Sequence, residues 1–306
     1  MIKQAYMQSG QALGTEVELR LVVTDFQTAE DNFKILWKEI YDFEKRYSRF
    51  NIDSDVTKLN MNAGKPMLIS PELVDILEQA KKFAAITGGL FNIFVLPEVE
   101  RGGYIESMTP KPGQQIIDYT DRKVVDMSSL NIGNGSVSIP QNTAIDLGGI
   151  GKGYLLDKLA SILEGRIENY CLSLGGDMIL KGQEISKNWE VDVQSGVDRT
   201  RNVALFVGSG RTEAVATSGM IREKGGKRQI HIVDPREEKN SGSTFALCSV
   251  AAVGATAADV IASALIIGEE ELAEELIRQG HISAVLLQKR TGGEPIIFGA
   301  GFKMNS

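Results

Sequence analysis

The run Ala144-Ile145-Asp146-Leu147-Gly148-Gly149-Ile150-Gly151-Lys152-Gly153-Tyr154 places four glycines between a strand-like segment and a helical one. So many glycines allow a sharp turn and let a ligand or a second backbone come close. The helix that follows would offer N–H groups at its start to an anion. The spacing is not that of a Walker A loop. With Lys152 in the lysine position, Asp146 falls where the first glycine belongs, and Gly153 falls where Ser or Thr must meet a metal. It also fails the dinucleotide spacing G-x-G-x-x-G, because Leu156 stands at the third glycine. Two readings stay open on spacing alone: a tight packing corner, or a loop that holds a ligand.

The function classes left are limited by composition. The chain has 306 residues, with 33 basic and 40 acidic side chains and a formal charge of −7. No basic stripe is present, which argues against nucleic-acid binding. No apolar stretch approaches the roughly 18–20 residues of a membrane span. Met1-Ile2-Lys3-Gln4-Ala5-Tyr6 carries no apolar leader core, so the expected compartment is cytoplasmic. Cys171 and Cys248 both lie in apolar contexts and read as buried reduced thiols. His231 and His281 are the two histidines; His-rich zinc sites are excluded, and histidine-based triads nearly so. Chemistry must then come from carboxylates, hydroxyls, backbone groups, a lysine or His231.

Residues 15–23 alternate as a half-buried strand. A helix capped by Thr28 follows, with Phe33, Leu36, Trp37, Ile40, Phe43 and Tyr47 on one face. Ser70 and Pro71 open a second helix, which ends at Gly88-Gly89. Short strands are expected at 123–125, 136–139 and 143–146, and a helix at about 152–164. Residues 170–250 read as strands and turns, with Gly225-Gly226 among the turn markers. Helices follow at about 256–267 and 269–279, then a hairpin of 282–287 with 295–298. Strand runs alternating with paired helices indicate an α+β fold with antiparallel sheets.

Asp259 and Ser263 are four residues apart on one helix face, a hard-oxygen pair suited to Mg2+. The same segment reads equally as a capping pair, Thr256 with Asp259. His231, between apolar residues, fits either a structural histidine or a base near neutrality. Thr217-Ser218-Gly219 offers two small hydroxyls at a turn.

Taken in order, these segments resemble the FAD:protein FMN transferase (ApbE) family. The matching pieces are Gly14-Thr15, Tyr47-Ser48-Arg49-Phe50, Ser54, Leu59-Asn60 and Thr87-Gly88-Gly89-Leu90-Phe91-Asn92. Asp146 through Tyr154, with Asp157, is the most diagnostic. Ser173-Leu174-Gly175-Gly176-Asp177, Trp189, Thr217-Ser218-Gly219, His231-Ile232-Val233-Asp234-Pro235 and Thr256-Ala257 with Asp259 and Ser263 complete the set. The resemblance implies one domain over residues 1–306, built as two interleaved α/β lobes of the tunnelling-fold type with FAD between them. It implies Mg2+-dependent cleavage of FAD, transfer of FMN to a Thr or Ser hydroxyl of a target protein, and release of AMP. That target is a redox or electron-transport subunit in the family. The implied metal ligands are Gly151, through its carbonyl, Asp259 and Ser263. The implied flavin contacts are Leu13, Phe50, Leu90, Phe91, Asn92, Gly148, Tyr154 and Val233. His231 and Asn92 are the implied catalytic positions. An FAD pyrophosphatase and a non-catalytic FAD binder are the alternatives.

This chain departs from the family pattern at several points. Asn92 stands where the family usually has Asp, which removes a candidate base. Phe50 replaces a frequent Tyr, Leu13 a frequent Met and Ser173 a frequent Asn. Met220-Ile221 and Glu237-Glu238 replace the usual residues after Thr217-Ser218-Gly219 and Pro235-Arg236. The metal positions keep the family pattern better than the ligand wall does.

Overall fold

Val17, Leu19 and Leu21 alternate with Glu16, Glu18 and Arg20, and all three apolar side chains are fully buried in strand β2 (Thr15–Val23). Alternation of this kind puts one face of a strand against a core. The structure is a computed structural model. It describes residues 2–107, 116–133, 135–224, 227–230, 232–236, 239–240, 243–268 and 270–304, without the side chains of 221–224, 227–230 and 239–240. Before β2 lies β1 (Gln4–Ala12), a largely polar, part-exposed edge strand that the patterning does not announce. An edge strand with little apolar alternation leaves no periodic signal.

Six further strands extend the main sheet: β3 (Tyr170–Leu174), β4 (Asp177–Lys181), β7 (Glu213–Gly219), β8 (Phe245–Ala252), β9 (Ala284–Lys289) and β10 (Ile296–Gly299). Its order is β1-β2-β3-β4-β7-β8-β9-β10. A smaller sheet has the order β5-β6-β11, from β5 (Glu190–Gln194), β6 (Asn202–Val207) and β11 (Phe302–Met304). Every strand pairing among the described residues is antiparallel. The fold is therefore α+β, as the patterning indicates.

Helices cover one face of the main sheet, and the smaller sheet covers the other. α1 (Phe26–Tyr47) packs on β1 and β2. α2 (Asp55–Met61), α3 (Pro71–Ile86) and α4 (Leu96–Arg101) follow it. α5 (Gly151–Leu163) and α6 (Ala255–Ile267) cross the middle of the sheet, and α7 (Glu270–Arg278) follows α6. Leu36, Ile40, Leu156, Ile261 and Val250 belong to the core between helices and sheet. Trp189, Val191, Phe206, Leu247 and Leu286 fill a second core between the two sheets.

Local chemistry shifts some boundaries. Asp25, not Thr28, caps α1: its carboxylate accepts from Thr28 N at 2.9 Å. Ser70 caps α3 with Pro71 in its first turn, as the sequence indicates. Segments 123–125 and 143–146 are not strands and share only one isolated bridge, Lys123 with Thr143. Their backbone groups have other partners. Ile145 N donates to Asn60 Oδ1 at 2.8 Å, and Asp146 N donates to Ile93 O at 2.9 Å. No helix among the described residues is long and apolar enough to cross a membrane.

Candidate active site

A cavity of about 640 Å³ opens where the β1–β2 turn, the end of α1, the start of α5 and the middle of α6 converge. That volume is in the range of small-molecule sites, roughly 300–1,000 Å³. Leu13, in the β1–β2 turn, has φ 55° beside Gly14 at 72°. A left-handed conformation is costly for a leucine, and here it sits in the cavity wall.

The start of α5 shows why the glycines are there. A Cβ on Gly153 would lie 2.5 Å from Ala255 O and 2.7 Å from Thr256 Cα. Only glycine lets α5 and α6 meet at this distance, so Gly153 serves packing. The two helices then cap each other. Asp259 of α6 accepts from Gly153 N at 3.0 Å. Asp157 of α5 accepts from Ala255 N at 2.6 Å, Thr256 N at 2.9 Å and Thr256 Oγ1 at 2.5 Å. The capping pair read between Thr256 and Asp259 is not formed, because Asp157 takes the Thr256 groups. Asp259 is only 4% exposed. Two N–H groups of the glycine run are also spent: Gly151 N donates to Leu147 O at 2.7 Å and Gly153 N to Asp259.

The cation of this wall is Lys152. Its ammonium is paired with Asp177 and lies 3.6 Å from Asp259 Oδ1. Asp177 also accepts from Thr217 N at 3.1 Å. Ser263 Oγ and Ser218 Oγ share a hydrogen bond of 2.9 Å. Gly151, Lys152, Ser218, Asp259 and Ser263 all line the cavity. Among the described residues, no group of three or more His, Cys, Asp or Glu side chains forms a metal cluster. One carboxylate with a serine hydroxyl and a backbone carbonyl instead suits a hard cation that takes few protein ligands and completes its shell with water or phosphate oxygens. Asp259 Oδ1, which among the described residues has only the longer lysine contact, fits that demand.

The part of the lining around Arg49 is built differently. Arg49, 7% exposed, donates to Glu100 Oε1 at 3.0 Å and to Tyr104 O at 2.6 Å, and its Nε lies 3.4 Å from Asp146 Oδ1. Its guanidinium sits 4.1 Å from the Phe50 ring centroid and 5.1 Å from that of Tyr104. Burial raises the Glu100 carboxyl above its ordinary range, opposed by Tyr119 N–H and by Arg49. Phe50, Phe91 and Tyr104 present aromatic surface to the cavity.

The structure brings together Leu13, Phe50, Leu90, Phe91, Asn92, Gly148, Val233, Gly151, Asp259 and Ser263, all in the cavity wall. Tyr154 is not among the lining residues. Its ring stacks near Phe43 at 6.2 Å, and its hydroxyl donates to Asp75 at 2.8 Å. Asn92 spends both ends of its amide: Oδ1 accepts from Phe94 N at 2.8 Å and Nδ2 donates to Val125 O at 2.9 Å. It caps a turn, and an amide so held has no basic lone pair to lend. His231, like Glu237, lies outside the described residues. Lys152, Asp177 and Ser218 stand in the quoted motifs without an assigned role, and the Arg49–Glu100–Asp146 network joins residues far apart in sequence.

Comparison with known proteins agrees with this architecture. The ApbE family model matches residues 13–286. A FAD:protein FMN transferase of Vibrio cholerae is 25% identical over 96% of this chain and 91% of its own length. That of Escherichia coli is 27% identical over 79% and 72%. The ApbE protein crystal structure from Thermotoga maritima superposes with a TM-score of 0.80 at 22% identity, covering 97% of each chain. The flavin transferase ApbE from Vibrio cholerae gives 0.79 at 22%, with the same coverage. With a family model spanning nearly the whole chain, this protein belongs to the ApbE family.

Proposed function

We propose that the chain transfers FMN from FAD to a Thr or Ser hydroxyl of a target protein, in an Mg2+-dependent reaction that releases AMP. The observation that carries it is one cavity lined both by the aromatic residues Phe50, Phe91 and Tyr104 and by the polar group Lys152, Asp259 and Ser263, in a chain of the ApbE family. The relatives named FAD:protein FMN transferase support the same reading.

The residues divide the work. Phe50, Phe91, Leu13 and Leu90 give a flat ring apolar surface and exclude water from it. Lys152, paired with Asp177 and close to Asp259, leaves this cluster net negative, so a pyrophosphate here would call for a cation beside it. Asp259, Ser263 and the Gly151 carbonyl would hold Mg2+, which would supply positive charge to offset that of the phosphate oxygens. Transfer breaks the bond from the FMN phosphorus to the bridging oxygen, and AMP leaves with that electron pair. The acceptor oxygen bonds the phosphorus, and its proton is assigned to His231 on family resemblance. Phosphoryl chemistry of this kind rests on position and charge more than on a covalent intermediate.

The test is to incubate the purified chain with FAD, with and without Mg2+, and to follow AMP and FMN by chromatography. Mg2+-dependent AMP release, with flavin becoming protein-linked once an acceptor is supplied, is expected. AMP with only free FMN, whatever acceptor is offered, would assign a pyrophosphatase. FAD bound and intact under every condition would assign a binder without chemistry.

A further inference from the structure

The smaller sheet has a free edge that runs into the cavity wall. β5 pairs with β6 on one side, and no described strand pairs on its other side. Gly208 N donates to Trp189 O at 2.9 Å, and the register continues as Val191 with Phe206 and Val193 with Ala204. Residues of an antiparallel strand point their backbone groups alternately to its two sides. Trp189, Val191 and Val193 therefore face β6, while the N–H and C=O groups of Glu190, Asp192 and Gln194 face outward. Beyond the irregularity at Val193/Gln194, Ser195 N donates to Arg201 O at 2.9 Å, which keeps Gln194 outward. Asp192, Gln194, Ser195 and Gly196 all border the cavity.

The end of this edge is fixed. Gln288, 3% exposed, accepts from Gly196 N at 2.8 Å and donates to Ser195 Oγ at 3.0 Å. Ser195 Oγ in turn accepts from Val197 N at 3.2 Å and Asp198 N at 3.0 Å. The loop is held at the cavity border by a buried amide and a tight turn.

We propose that β5 is the docking edge for the acceptor. An extended segment of the target protein adds as a fourth strand along Glu190–Gln194, and its Thr or Ser enters the cavity past Gln194. The inference rests on the transferase reading and adds how the second substrate is recognised. An open edge bonds an extended chain and gives main-chain affinity with little demand on sequence. Charge narrows the choice. Glu190 pairs with Lys187 at 3.0 Å, but exposed Asp192 has no ion-pair partner among the described residues. Acidic edge residues deter indiscriminate pairing, and Asp192 favours a strand that brings Lys or Arg across from it.

The probe is a library of short Thr-centred peptides with randomised flanks, incubated with FAD and Mg2+. Flavin-bearing peptides should be enriched in Lys or Arg near the Thr, and amide exchange at Glu190, Asp192 and Gln194 should slow when they bind. Asp192→Pro removes an outward N–H and leaves the β6 ladder intact. It should lower transfer at least about tenfold, the scale of one or two lost hydrogen bonds, while FAD affinity and AMP release from FAD alone stay at wild-type levels. Asp192→Lys should turn the library preference toward acidic flanks. Unchanged transfer by Asp192→Pro overturns the proposal, and so does peptide flavinylation with unaltered exchange at the three amides. A library with no flavinylated member, from an enzyme that does flavinylate a folded acceptor protein, overturns it in favour of a folded acceptor surface; AMP with free FMN and no flavin on any acceptor assigns a pyrophosphatase instead. Absence of AMP release from the wild type refutes the transferase reading itself.

Discussion

At the α5–α6 wall of the cavity, Gly153 lies against the backbone of Ala255 and Thr256, and Asp157 and Asp259 cap each other's helices. Elsewhere in the cavity lining, Arg49 is held by Glu100, Asp146 and the Tyr104 carbonyl between two aromatic rings. The first wall is fixed by short-range geometry that only glycine permits. The second is fixed by charge removed from water. A wall set by backbone contact tolerates changes in charge but not in size; a wall set by a buried ion pair tolerates the reverse. The polar cluster that would handle phosphate sits on the geometric wall, and much of the aromatic surface sits on the electrostatic one.

The largest effect should come from breaking the second wall. Arg49→Met removes the partner of a buried carboxyl, a change that costs about 3–5 kcal/mol in comparable pairs. Urea unfolding should show that loss, and the double change Arg49→Met with Glu100→Leu should recover most of it. A double variant no more stable than the single one would mean that Arg49 acts through the rings rather than the ion pair.

Gly153→Ala should come next. Its Cβ meets backbone that has nowhere to move, and overpacking of this kind costs about 1–3 kcal/mol. Because the same shift moves Asp259, Mg2+-dependent cleavage of FAD should fall even in conditions where the protein stays folded. Full activity with reduced stability would separate the helix crossing from the site.

The smallest effect is one of pH. The folded state raises the Glu100 carboxyl above its ordinary value of 4.5, through burial. The folded state then binds the proton more tightly than the unfolded state, so stability is greatest below that value and falls as pH rises through the raised pKa. Glu100→Gln removes the titration. The wild-type melting temperature should therefore decline relative to that of Glu100→Gln as the pH is taken upward from about 4.5. A relative rise would mean that Arg49 outweighs burial.

How much of this was legible in the sequence follows the same division. Local signals were readable: the alternation of β2, the Ser70–Pro71 start of α3, and the glycine run before α5. Of the positions the resemblance implies, those from Leu13 to Ser263 share one cavity except Tyr154, which turns to Asp75, and His231, which lies outside the described residues. The packing role of Gly153 was one of two readings left open, because it depends on a helix about 100 residues further on. Asp25 takes the cap in place of Thr28 because two polar residues three positions apart compete for one role. The Arg49–Glu100 pair spans 51 residues and leaves no local pattern. Segments 123–125 and 143–146 look like strands but bond irregular partners, and propensity cannot register a side chain such as Asn60 that takes the place of a ladder.

The central claim is that Asp259 belongs to a cation site that serves FAD cleavage as well as to the helix crossing. Asp259→Asn keeps the shape and an acceptor for Gly153 N–H, and removes the charge. The decisive measurement is Mg2+-dependent AMP release from FAD by this variant beside the wild type, with FAD affinity measured in both. Retained FAD binding with AMP release lowered at least about a hundredfold, the scale of one lost electrostatic contact at a reacting centre, is the predicted result. AMP release at the wild-type rate and the same Mg2+ dependence would contradict the account and leave Asp259 with a purely structural role.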